Sequence, residues 1–195
     1  MQKHQHQFSA RRRAGEQIGE LIILDQGCYD FPNSDVTILG VTLYTHILKD
    51  QEQAVFAARQ EFQRIQDWNM VKHNAAHASD VAYLNNQIES ISQRRIVVFS
   101  HYSPTIDHRT IDPWILQAVK SGEIEDIGSG FNTDLRGEKC WDDGNGVVCW
   151  AWGHTHFNVK FWDEVCGRRC VTNQAEDVEE GRVKMGFNEG FVLEV

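Results

Sequence analysis

The sequence predicts an α/β protein whose sheet is covered by helices. Three observations predict it. Arg95–Ser100 (RIVVFS) and Val147–Trp152 (VVCWAW) are short, nearly continuous apolar runs, the pattern of strands buried on both faces. Other segments carry apolar residues at helical spacing, the longest through Ala78, Val81, Leu84, Ile88 and Ile91. With 195 residues, 41% of them hydrophobic and 24% charged, the chain can also build a core of ordinary size.

The elements follow in order. Residues 1–19 read as an N-terminal extension or remnant, because the first fifteen hold His4, His6, Arg11, Arg12 and Arg13 but no acid. A frayed helix accounts for them. Residues 20–195 read as the domain proper. Leu21–Asp25 and Val36–Tyr44 are Leu-rich or β-branched runs bounded by turn residues and read as strands. Val55, Ala58, Phe62 and Ile65 predict one amphipathic helix ahead of the long apolar stripe. After the first buried strand comes a loop-rich stretch, Ser103 to Gly146. It holds a short helix at Pro113–Lys120, with Asp112 as N-cap and Pro113 at the first position. Phe157–Trp162, Arg169–Thr172 and Phe191–Val195 read as hairpin-linked strands.

Composition excludes several classes of function. With 19 Lys+Arg against 28 Asp+Glu, the net charge is −9, and no basic face is expected to neutralise phosphates of a nucleic acid. No run of about 18 apolar residues exists to span a bilayer. The five cysteines, Cys28, Cys140, Cys149, Cys166 and Cys170, are an odd number at irregular spacing. They predict free thiols in a reducing compartment, the cytoplasm by default, with Cys166 and Cys170 flanking a hairpin turn. Trp150 and Trp152 alternate onto one face of a strand, which predicts core packing rather than base stacking.

Candidate chemistry gathers where two strands end. In α/β sheets the ligand crevice lies beyond the carboxyl ends of the strands. Ser100-His101-Tyr102-Ser103-Pro104 follows the first buried run, and Gly153-His154-Thr155-His156 follows the second. Three imidazoles so placed suit zinc, iron or manganese. His154 and His156 can diverge onto two ions, or serve one ion and a phosphate.

These residues resemble the last two motifs of the calcineurin-like metallophosphoesterase family. Ser100-His101 with Ser103-Pro104, and the turn Trp152-Gly153-His154-Thr155-His156-Phe157, carry the resemblance. Val36–Tyr44 and the segment Trp68–Leu84, with Asn74, His77 and Asp80, extend it. The resemblance implies an α/β/β/α sandwich and a site for two divalent ions (Mn, Fe or Zn) that activates a bridging water against a phosphoester. It implies His101 and His154 as ligands of one metal and His156 as ligand of the other. The substrate would be a small phosphoester or a phosphoprotein.

The family's earlier motifs, D-x-H, G-D-x-x-D and G-N-H-[DE], do not occur in this sequence. An incomplete sandwich is therefore expected, the C-terminal part of the domain, binding zero or one ion and inactive as this chain alone. It would keep a scaffold or binding role, or hold one metal, and an uncovered sheet edge would favour self-association. Asp25, Asp107, Asp112 and Asp134 read as loop charges or caps rather than substitute ligands. His77 with Asn74 reads as fixing a helix start, with His73 one turn earlier. Arg109, Arg136 and Lys139 read equally as phosphate contacts or surface charge.

Overall fold

The computed structural model describes residues 2–91, 93–175 and 186–195. Its centre is one mixed six-stranded sheet. The strands are β1 (Gly27–Asp30), β2 (Val36–Val41), β3 (Arg95–Ser100), β4 (Val147–Trp152), β5 (Lys160–Asp163) and β6 (Arg168–Val171), in spatial order β1-β2-β3-β4-β6-β5. The inner four run parallel, and β1 and β5 lie antiparallel at the edges. The helices are α1 (Gln2–Arg13), α2 (Glu52–Ala58), α3 (Glu61–Arg64), α4 (Met70–Ser90) and α5 (Pro113–Ser121). The α/β class is thus the observed one.

Alternation along the strands sorts the core into two faces. Leu39, Val41, Ile96, Val98, Trp150, Trp152 and Cys170 point one way and pack with Val81, Leu84 and Ile88 of α4. Trp150 is fully buried, and its indole N–H donates to Ser100 Oγ at 2.9 Å, so the ring is accommodated without an orphaned donor. On the opposite face Val97, Cys149 and Val171 meet Phe191 and Leu193 from the C-terminal residues. That cover is partial, and Phe99 remains 49% exposed. Ile47, Val55 and Phe62 form a smaller cluster under α2 and α3.

Several expected elements are corrected. Residues 21–25 form no strand; Leu24 lies on the sheet against Gly40, where an added Cβ would collide with Leu24 Cβ. A short apolar run cannot distinguish pairing in a sheet from packing onto it. The edge strand is instead Gly-Cys-Tyr-Asp, weak in intrinsic preference and recruited by β2. The strand expected to reach Tyr44 ends at Val41, and Leu43 turns the chain at φ 64°. The single helix expected over 55–65 is broken at Arg59, whose backbone is extended while its N–H still bonds Val55 O. Phe191–Val195 is no strand, although its apolar side chains do reach the sheet. β5 begins at Lys160 rather than Phe157.

Other expectations hold. α5 starts as predicted, with Asp112 accepting from Trp114 N. Cys166 lies inside the β5–β6 turn rather than beside it and Cys170 lies on β6, while all five cysteines are free thiols, four buried and Cys28 exposed. Arg168, fully buried beside that turn, donates to the carbonyls of Cys140, Trp141 and Asp142 and so ties the hairpin to the loop before β4. Among the described residues no helix is long and apolar enough to cross a membrane.

Candidate functional site

β3 and β4 are adjacent parallel strands, with Ser100 opposite Trp152. Their carboxyl ends therefore deliver His101 and Gly153 side by side, and Gly153 N donates to His101 O at 3.1 Å. This brings the His101 and His154 rings to a centroid separation of 4.6 Å. His154 and His156 both adopt positive φ, 67° and 53°, a conformation uncommon for any side chain but glycine. Two strained residues in one turn need an outside brace. Gln174 supplies it, accepting from His156 N at 3.1 Å and donating to Thr155 Oγ1 and Phe157 O, both at 3.1 Å. Backbone strain held by such over-determined contacts is characteristic of working sites.

The surroundings are aromatic and basic. Tyr102 stacks near His154 at 4.1 Å between centroids, and Phe131 lies 5.2 Å from the same ring. Arg59, at the break between α2 and α3, reaches in so that its Nη2 lies 2.6 Å from His154 Nε2. Its guanidinium also packs 4.6 Å from the Phe131 ring centre and pairs with Glu61 Oε1 at 3.1 Å. Tyr102 donates its hydroxyl to the same Glu61 oxygen at 3.2 Å. Burial pushes the His154 pKa far down, with Arg59 and then His101 adding to the effect and a Gly130 carbonyl opposing it. His101 is lowered for the same two leading reasons, lost hydration and then Arg59. Both rings are held neutral, the state that a metal ligand or a hydrogen-bond acceptor requires.

His156 is exposed and stands close enough to both other rings to contribute to their lowered pKa values. Among the described residues no group of three or more His, Cys, Asp or Glu side chains is arranged to hold a metal ion. The dinuclear centre that the family resemblance implies does not fit the site as it stands, and none was expected of this chain alone. An arginine donor directed at His154 Nε2 competes with any cation for that lone pair, and the carboxylate seen beside the cluster, Glu61, is paired with that arginine.

The remaining candidates have local duties. Asp107 is clamped by Arg109 at 2.7 Å, which drives its pKa down to about 2, and Asp134 is clamped by Arg136 at 2.5 Å. Lys139 pairs with Glu89 at 2.8 Å. The start of α4 is fixed by Asn69 capping Lys72 N, not by Asn74 or His77. Asn74 instead pairs with Ile47 N and O at 2.9 and 3.2 Å, and His77 Nδ1 donates to Tyr44 O at 2.7 Å.

Sequence reasoning missed Arg59, Glu61, Tyr102, Phe131 and Gln174. Tyr102 sits inside the strand-end motif and could have been singled out there. Arg59 falls on the polar face of the helix the periodicity implies, so nothing in the sequence marked it. No protein-family model, no curated protein and no solved structure matches the chain.

Proposed function

We propose that this chain carries the C-terminal share of a metallophosphoesterase-type domain. In this reading His101, His154 and His156 are half of a ligand set for divalent ions, and the chain alone does not turn over phosphoesters. The observation that carries the reading is the convergence of His101 and His154, 4.6 Å apart, at the carboxyl ends of adjacent parallel strands. The strained G-H-T-H turn and the neutral state of both rings support it. The partly covered second face of the sheet is what an incomplete α/β/β/α sandwich would leave.

A second reading, a non-catalytic module of the same fold, is favoured by one contact. Arg59 Nη2 stands against His154 Nε2, where a metal would otherwise bind.

Elemental analysis after stripping and re-equilibration with manganese, zinc and iron tests the proposal. The expected result is no more than one ion per chain, lost in His154→Ala, with no hydrolysis of p-nitrophenyl phosphate. Two ions per chain with turnover would mean that other carboxylates complete the site. A single ion that survives His154→Ala would place the metal elsewhere and sink the half-site. No ion in the wild type but one in Arg59→Gln would assign Arg59 as the blocking group.

A further inference from the structure

A cleft of about 980 Å³ opens between α5 and the loops around residues 46–51 and 124–134. It lies beside the histidine site and shares Phe131 and Thr155 with it. Its volume is that of a cavity for a small organic molecule. The walls are predominantly apolar: Ile106, Trp114, Ile115, Val119, Ile124 and Ile127. Trp114 is 62% exposed and Ile106 48%, so the apolar surface is open to an occupant rather than consumed by the core. α5 explains why. Its first turn is capped by Asp112 and its last residues close on Gly122, in the left-handed conformation, so the helix stands as a separate wall with Ala118 as its buried anchor.

The charged groups of the cleft are predominantly carboxylates. Asp112, Glu125, Asp126, Asp134 and Glu138 line it, whereas Lys120 is the single Lys or Arg among the described lining residues. Arg136 neutralises Asp134, which leaves four carboxylates against one ammonium. A neutral acceptor joins them. Asn132, only 6% exposed, lines the cleft, and its Oδ1 has no hydrogen-bond partner among the described residues. A buried acceptor left without a donor is destabilising. That oxygen is itself sealed from solvent, so an occupant's N–H reaches it only when the Asn132 side chain turns toward the cleft.

We propose that this cleft binds an organic cation, a molecule with an aromatic or branched apolar body and a protonated amine. The apolar body would lie against Trp114 and its neighbours, and the amine would face the carboxylates. An anionic ligand of the same shape is disfavoured by the same four carboxylates, and a nucleotide for the same reason. The inference does not rest on the metal reading, because none of the three histidines expected as ligands lines the cleft.

Calorimetric titration of the metal-free chain with three matched probes tests it: 2-naphthylmethylammonium, 2-naphthylmethanol and 2-naphthoate. The expected order is cation, then alcohol, then anion, with roughly tenfold or more between the extremes. Trp114→Ala should weaken all three probes. Glu125→Lys should weaken the cation selectively and Lys120→Glu should strengthen it. Trp114, Lys120 and Glu125 are all exposed, so these variants should fold, and circular dichroism checks that they do. Equal affinity for cation and anion, preference for the anion, or binding indifferent to Trp114→Ala would overturn the proposal. Failure of the histidine half-site would show in the metal content and leave these titrations untouched.

Discussion

His73 shows how much one buried ring can govern. It is 1% exposed within an aromatic enclosure of Tyr44, Phe62, Trp68 and Tyr102. Thr45 N donates to its Nε2 at 3.3 Å, which puts the proton on Nδ1, an atom with no partner among the described residues. Loss of hydration lowers its pKa from about 6.5 to about 4. A base whose folded pKa is depressed binds its proton more readily when unfolded, so stability falls as pH drops below 6.5 and continues to fall until about 4. The expected cost is about 3 kcal/mol between pH 7 and pH 4 from this residue alone. Urea denaturation of the wild type and His73→Gln across that range measures it. The variant should be less stable at neutral pH but show a visibly flatter pH dependence; an unchanged slope would place the acid sensitivity elsewhere.

At the scale of the element, α4 does more than cover the sheet. Its buried side continues N-terminally from Ile88, Leu84 and Val81 through Asp80, His77, Asn74 and His73. These polar residues engage the backbone of the chain leaving β2: Asp80 Oδ2 accepts from Leu43 N at 2.7 Å, and Asn74 holds both polar groups of Ile47. Residues 43–47 leave the sheet without regular structure, so helix side chains complete hydrogen bonds that a strand would otherwise provide. Asn74→Ala should strand the buried Ile47 N–H and cost about 1–3 kcal/mol, read as a lower urea midpoint at unchanged slope. Asn74→Asp, which keeps the acceptor, should cost less. The apolar half of α4 was legible in the sequence because its spacing is periodic. Its polar half was not, since a search for apolar periodicity passes over buried His, Asn and Asp, and these have meaning only against a distant backbone. The same limit hid β1 and the break at Arg59, where neighbours in space override local preference.

Across the whole molecule, the two faces of the sheet are unequally protected. One carries α4 and both strand tryptophans. The other is covered by the residues around Phe191 and Leu193, leaving Phe99 half exposed. Edge strands β1 and β5 are each four residues long, too short to template much pairing, so association is expected through the face rather than the edge. Light scattering behind a sizing column should show mass rising with concentration, and Phe99→Ser should shift it toward the monomer; a wild-type monomer at every concentration would contradict this. The strand-end histidine pair was readable from sequence because the buried strands that position it were. The arginine and glutamine that complete its setting arrive from 95 and 18 residues away and left no local trace. The distribution of thiols has a practical consequence of a different sort. Four of the five are sealed inside, Cys140 and Cys166 with pKa values raised to about 12, while Cys28 alone faces solvent. The folded chain thus offers a single attachment point for a thiol-directed label, and each further cysteine that reacts counts a molecule that has opened.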